Sequence, residues 1–174
     1  MKSDNKTLKK KWYAIYTRSR SERKVMGRIL EEGFEAYVPV IKEIRLWSDR
    51  KKKVEVVLIK SYVFVHIEQH LLNKVLKIEG AIRVLRHLGK PAIVRDYEIE
   101  NLKLLCNNGA KIDIIASVKN INVGDKIEVR AGTLMGLRGK CVKIKGKKRV
   151  LVEIESIGNH MLVDIPAKYI KKIK

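Results

Sequence analysis

Glycines at 132, 136 and 139, followed by Lys140, give the stretch RAGTLMGLRGKCVKI (residues 130–144) the outline of a loop that cradles phosphate. Such a loop needs Gly, four residues, then Gly-Lys-Ser/Thr, so that backbone amides wrap the anion and a hydroxyl reaches magnesium. Counting back from Gly139, Leu134 stands where the first glycine belongs, and Cys141 occupies the hydroxyl position. No G-x-G-x-x-G occurs either. His66 and His70 are four apart, but they straddle an expected strand-to-helix junction, and no nearby Cys or third His completes a metal set. His87 and His160 stand alone, Cys106 and Cys141 show neither metal spacing nor a disulfide framework, and Ser61 has no nucleophile motif around it. The expectation is a binding protein without cofactor, metal or catalytic residues.

The charge says what it would bind. Lys and Arg number 39 against 19 Asp and Glu, a net charge of +20. Residues 1–60 hold 17 basic and 8 acidic side chains, and residues 119–174 hold 14 and 5, so each end carries +9. The middle, residues 61–118, holds 8 and 6. Two basic regions flanking a balanced one point to nucleic acid or a nucleic-acid machine, the alternative being a lysine-rich solvated surface. A length of 174 residues with 45% hydrophobic side chains allows one large or two small domains with real cores. No 18-residue apolar run and no signal-like stretch occurs, so a soluble, cytoplasmic protein is expected. Both cysteines lie in apolar periodic segments and read as reduced core thiols.

The elements that would carry these charges follow from periodicity. Residues 1–10 are polar and read as disordered. KWYAIYTR reads as a strand, and SRSERKVMGRILEEG as a helix with a Ser19–Glu22 capping box and Gly33 as its stop. That helix sorts Val25, Met26, Ile29 and Leu30 to one face and Arg20, Arg23, Lys24 and Arg28 to the other. YVPVIKEIRLW and VEVVLI make two strands joined by the basic tip SDRKKK. SYVFVHIE alternates Tyr62, Phe64 and His66 against Val63, Val65 and Ile67, which predicts an aliphatic core face and a free aromatic face. A helix near 69–78, the strand AIRVLRH and a helix over DYEIENLKLLCNNG complete an α+β, broadly ferredoxin-like domain. After residue 124 the period becomes two, and KIEVRA, KCVKI, RVLVEIE, MLVDI and YIKKI predict five strands of a small closed barrel. The glycine loop then joins its first two strands, where glycine permits positive φ and tight turning.

In this order, WYAIYTR, EAYVPV, SYVFVHI and VGDKIEVRAGTLMGLRGKCVKI resemble landmarks of the NusG-type transcription elongation factors, over nearly all of residues 11–174. The resemblance implies an NGN domain at 11–108, a linker at 109–120 and a five-stranded SH3-like KOW barrel at 121–174. RLWSDRKKKVEVVLIKSYVFVHI is further similar to the UpxY branch, paralogues that antiterminate long polysaccharide operons in the manner of RfaH. Two stretches depart from the family: Ile59-Lys60-Ser61 replaces an aromatic-Pro-Gly-like turn, and Thr133-Leu134 replaces Pro-Phe.

The resemblance also assigns roles. Tyr16, Ile59, Tyr62 and Phe64 match an apolar concavity for the clamp helices of RNA polymerase's largest subunit. Arg18, Arg20, Arg23 and Lys24 lie where family members approach non-template DNA of the transcription bubble, and Arg50, Lys51, Lys52 and Lys53 are placed for upstream duplex. Leu134 and Ile157 match positions facing a second partner, commonly a small-subunit ribosomal protein. Trp12 and Trp47 read as packing residues, and Lys143, Lys145, Lys147, Lys148 and Arg149 surround a basic turn. The implied protein is a monomeric, non-catalytic elongation or antitermination factor, bacterial and nucleoid-associated, with no membrane partner. A general NusG-like factor and a ribosome-associated RNA-binding protein are the rival readings.

Overall fold

The computed structural model describes residues 9–46, 50–109, 111–115, 123–144 and 147–173; the expectations for the first eight residues, for Trp47 and for Lys145 lie outside them. In chain order the elements are β1 (Lys11–Thr17), α1 (Glu22–Glu31), β2 (Glu35–Tyr37), β3 (Val40–Leu46), β4 (Lys51–Val57) and β5 (Tyr62–Ile67). There follow α2 (Leu72–Leu76), β6 (Ala81–Val84), β7 (Arg86–His87), β8 (Lys90–Pro91), β9 (Ile93–Val94) and α3 (Asp96–Asn107). The last strands are β10 (Ile112–Ile115), β11 (Val123–Val129), β12 (Arg138–Ile144), β13 (Lys147–Ile154), β14 (Asn159–Val163) and β15 (Ile170–Lys172). The fold is mixed α/β, and the chain divides into two compact units. One holds the chain up to Val38 with Lys60–Arg95, and the other Pro39–Ile59 with Asp96–Lys174. None of the described helices is long and apolar enough to cross a membrane.

The first unit is a sheet in the order β2-β5-β1-β6, with β9 also paired to β1. Antiparallel pairing runs from Lys11↔Ile67 to Tyr16↔Tyr62, which sorts Tyr13, Ile15, Val63, Val65 and Ile67 onto one face. All five are buried, and that environment pushes the Tyr13 phenol above its ordinary range. Helix α1 packs on β2 and β5 and buries Val25 and Ile29; α2 packs on β6 and buries Leu72 and Val75. Gly33 ends α1 with φ +80, and the Phe34 N–H returns to the Ile29 carbonyl, as expected of a left-handed stop.

The expected capping box does not form. Ser21, not Ser19, precedes the helix, and Glu22 is its first residue. The Glu22 carboxylate is buried and accepts the Ser61 N–H at 2.6 Å, tying the helix to the turn before β5. A carboxylate committed to a distant backbone N–H is not available to reach back over its own first turn.

In the second unit, β3 and β4 form a two-stranded ribbon, and the C-terminal strands form a six-stranded sheet in the order β10-β14-β13-β12-β11-β15. All five strands read from the sequence are present. The closed barrel is not: among the described residues the two edges, β10 and β15, do not pair with each other. The sixth strand, β10, arises within the stretch read as a linker. Helix α3 joins this unit through buried polar groups. The Asn101 side chain donates to the Arg138 carbonyl at 2.8 Å and accepts the Arg138 N–H at 3.0 Å, and Glu98 accepts the Glu155 N–H at 2.9 Å. Each satisfies a backbone group that would be costly to bury alone. The compact units therefore cut across chain order, placing α3 with the C-terminal strands.

Glycine controls the approach of β12 to β13. A Cβ at Gly139 would lie 2.5 Å from the Leu151 carbonyl oxygen, which is backbone and has no rotamer by which to yield. A Cβ at Gly27, inside α1, meets nothing within 4 Å. Gly139→Ala is therefore expected to lower stability by about 1–3 kcal/mol, whereas Gly27→Ala should raise it by about 0.5–1 kcal/mol. Urea unfolding of the two variants checks the opposite signs.

Candidate functional site

The second face of the first sheet carries the aromatic side chains. From one end it runs Trp12 and His66, stacked with ring centroids 5.0 Å apart, then Phe64 beside Tyr37 and Ala14, then Tyr16 opposite Tyr62. His66 Nδ1 lies 2.8 Å from the Glu35 carboxylate across β2 and β5. Trp12 is buried in this stack, in keeping with a packing role.

The aromatic face is not free along its length. Phe64 is 0% exposed and Ile59, in the other unit, is 3% exposed, so both are core side chains in this conformation. A strand central to a sheet can be buried on both faces, and alternation by itself does not reveal it. Tyr16 and Tyr62 remain half-exposed at the sheet's end. Their rings meet edge-to-face with centroids 5.5 Å apart. Arg83 on β6 stands opposite Tyr16 in the adjoining ladder, and its guanidinium lies 5.2 Å from the Tyr16 ring centroid. Three neighbouring strands thus present Tyr62, Tyr16 and Arg83 in one row. Sequence reading missed Arg83 because its partner in the row is 67 residues away in the chain.

The backbone beside this row is held in uncommon geometry. Ser61 adopts φ +62 and Arg20 φ +61, in the left-handed region that bulky residues seldom enter. Ser61 is fastened twice: its N–H goes to Glu22, and its carbonyl accepts the Thr17 N–H at 2.9 Å. Next along the chain the Arg18 N–H reaches the Gly80 carbonyl at 3.0 Å. These bonds bring the start of β5, the end of β1 and the start of β6 together. Arg18, Arg20, Arg23 and Lys24 are all exposed around the start of α1. Arg28 is not part of that set: its guanidinium lies 2.7 Å from the Glu79 carboxylate and also donates to the Glu79 carbonyl.

In the second unit, the ribbon places Arg45 opposite Lys52, Leu46 opposite Lys51 and Ile44 opposite Lys53. Arg50, Lys51, Lys52 and Lys53 are exposed, as are Ile44 and Leu46, whose exposure the hydrophobic pattern did not anticipate. Arg45 is paired with the Glu43 carboxylate of its own strand at 3.3 Å. In the glycine loop, Gly132 and Gly136 do take positive φ, +84 and +92. The loop folds back through the Gly136 N–H to the Val129 carbonyl and the Leu137 N–H to the Leu134 carbonyl. Leu134 consequently points inward at 8% exposure, and its neighbour Met135 stands out at 63%. Ile157 is half-buried. A thioether at the tip of a glycine loop was the available signal for Met135, and a family position drew the reading one residue away.

Each unit by itself carries features suited to polymer surfaces: an aromatic–cation row and cations at a helix start in the first, a basic two-stranded ribbon in the second. Among the described residues no group of three His, Cys, Asp or Glu side chains is placed to hold a metal.

A family model described as transcription termination factor NusG matches residues 10–103. Among solved structures, the chain is similar to NusG of Thermotoga maritima, studied for its domain interaction. The identity is 22%, with 96% of this chain and 99% of that chain covered and a TM-score of 0.48. It is also similar to a chain of the MjSpt4:Spt5 complex in conformation A, at 20% identity, 94% and 98% coverage and a TM-score of 0.32. No curated protein matches the chain.

The turn at Ser61 can be tested on its own. Glu22→Ala leaves a partly buried N–H without its charged acceptor and is expected to cost about 1–3 kcal/mol. Ser61→Gly removes the left-handed penalty of about 1 kcal/mol and should leave stability unchanged or raised. Thermal unfolding of both variants measures the difference.

Proposed function

The chain belongs to the NusG family of transcription factors, and we propose that it acts as an elongation factor that binds RNA polymerase and suppresses pausing and termination. The observation that carries this reading is the row Tyr62–Tyr16–Arg83 with Arg18 and Arg20 beside it. Half-exposed aromatic side chains next to Arg are the residue types that dominate protein interface energies. Their target in this proposal is the clamp helices of the polymerase's largest subunit. Phe64 supports the surface from within the core of the same unit.

Arg18, Arg20, Arg23 and Lys24 contact non-template DNA in the bubble, where guanidinium groups bind phosphates and stack on unpaired bases. The ribbon with Arg50, Lys51, Lys52 and Lys53 contacts upstream duplex. A two-stranded ribbon fits a DNA groove, and exposed Lys and Arg side chains on it can contact phosphates. The matched span 10–103 is consistent with an NGN module at 11–108. A KOW module at 121–174 completes the proposal, following the segment 109–120. It adds a second partner, a small-subunit ribosomal protein, through the surface near Ile157 with Met135 in place of the inward Leu134. Preferential binding to the elongating state of the polymerase then depopulates the paused state. The affinity of RLWSDRKKKVEVVLIKSYVFVHI for the specialised branch makes long polysaccharide operons the proposed targets.

The experiment is a binding titration with purified core polymerase. The Tyr16→Ala plus Tyr62→Ala variant is expected to lose about 30-fold in affinity, the scale of an interface hot spot. Phe64→Ala serves as the contrast, because truncating a fully buried Phe should cost about 3–5 kcal/mol of stability instead. Unchanged polymerase affinity in the folded double variant would refute the contact. In parallel, single-stranded DNA binding is measured against salt concentration. Arg18→Ala plus Arg20→Ala should flatten the log–log slope by about 1.4, from roughly 0.7 per lost phosphate contact. Tight RNA binding with no polymerase binding at all would favour the ribosome-associated reading.

A further inference from the structure

The C-terminal sheet is built from two kinds of strand. β11 to β15 follow one another between Val123 and Lys172, and each pairs within that set. β10 comes from before it, four residues pairing antiparallel with β14 from Ile112↔Val163 to Ile115↔His160. β14 pairs with β13 on its other side, so β10 covers what would otherwise be an open edge of unpaired N–H and C=O groups.

Two side chains of β10, two residues apart and therefore on one face, fix it there. Asp113 lies 2.7 Å from the Arg149 guanidinium, which also meets Asp164 at 2.7 Å. The Arg149 side chain is mostly covered. Burial by itself would push its pKa down, but the carboxylates of Asp113 and Asp164 beside it outweigh that and raise it, so the cation is permanent. Ile115 packs on Val142, Leu151 and Leu162, a small apolar cluster on the same face. Ile112, on the opposite face, is half-buried like Ile115, and Ile114 is 54% exposed. Such a strand makes a short ladder, an ion pair and partial apolar burial, and each of these could come from another molecule.

We propose that the β14 edge is a docking site for an extended segment of a partner protein with the pattern acidic–x–aliphatic, and that β10 is a resident mimic of that segment. The partner's carboxylate replaces Asp113 on Arg149, its aliphatic side chain replaces Ile115 on Val142, Leu151 and Leu162, and its backbone takes over the ladder to β14. Strand addition of this kind draws affinity from main-chain hydrogen bonds and specificity from alternate side chains. Because β10 is tethered, it competes at an effective concentration in the millimolar range. Free ligand is held off until β10 is released, and observed affinity falls by the fraction of molecules in which the edge is open. The inference stands on the sheet alone and does not require polymerase binding.

The test uses the full-length protein, isotopically labelled, and a synthetic ten-residue peptide centred on the sequence Lys-Ile-Asp-Ile-Ile of residues 111–115. Peptide binding is read from the amide signals of Asn159–Val163 by NMR. Weak binding is expected in the wild type. Asp113→Lys and, separately, Ile115→Ser weaken the resident strand and should raise peptide affinity at least tenfold, with the shifts at β14. A peptide carrying Lys for Asp should not bind, and Arg149→Glu should bind that peptide in preference to the original.

Equal affinity in wild type and variants, or shifts away from β14, would overturn the proposal. Loss of the whole sheet in both strand variants would show β10 to be an integral strand and overturn it too. A concentration-dependent dimer without peptide binding would replace it with exchange of β10 between two copies.

Discussion

Six consecutive antiparallel pairs join β1 to β5, and the register of that ladder decides what every other part of the first unit can do. It puts Tyr13, Ile15, Val63, Val65 and Ile67 on the face buried throughout, and Trp12, Ala14, Tyr16, Tyr62, Phe64 and His66 on the other. A slip of one residue would exchange the faces and bury the tyrosines. The register is enforced at its ends. At one end Trp12 stacks on His66, which meets Glu35. At the other, the Ser61 turn is tied to Glu22 and to Thr17. Ser61 holds a left-handed backbone that glycine would adopt freely, and the bonds around it offset that cost.

The second unit depends on a different constraint, the close approach of strand backbones and the satisfaction of buried polar groups. Gly139 lets β12 lie against the Leu151 carbonyl, and Asn101 copies the hydrogen bonding of a strand edge to hold α3 at Arg138. Charges on this sheet are arranged in compensated sets, Asp113–Arg149–Asp164 and Lys140–Glu153. A basic chain therefore spends several cations on internal pairs. Exposed cations also stand at the start of α1 and on the β3–β4 ribbon, the places where contact with nucleic acid is proposed.

Much of this was legible in advance because it is local. Period-two alternation located β11 to β15, Gly33 ended α1, and the spacing of Leu134 and Cys141 removed the phosphate-pocket reading. What was misread is non-local in each case. The Ser19–Glu22 spacing suggested a cap, but Glu22 bonds to a residue 39 positions away. Phe64 alternates as a surface residue would, yet the second face is covered as well. Residues 109–120 lack a strong pattern, and the short strand within them is held by an Arg on β13. Leu134 and Met135 are adjacent apolar residues in a loop, and only the loop's return bonds to Val129 and Leu134 settle which one faces out.

By itself, then, the sequence determined the secondary structure of the longer elements, the basic character of the surface and the absence of a nucleotide-loop spacing. These follow from side-chain periodicity, composition and residue order, which are properties of neighbours in the chain. Tertiary structure decided which aromatic side chains reach solvent, that Arg28 and Arg149 are paired, that Arg83 joins Tyr16 and Tyr62, and that among the described residues the C-terminal sheet is open with β10 on its edge. Those outcomes depend on partners dozens of residues apart, and their free energies are set by burial and hydrogen-bond satisfaction in the folded chain rather than by any local preference.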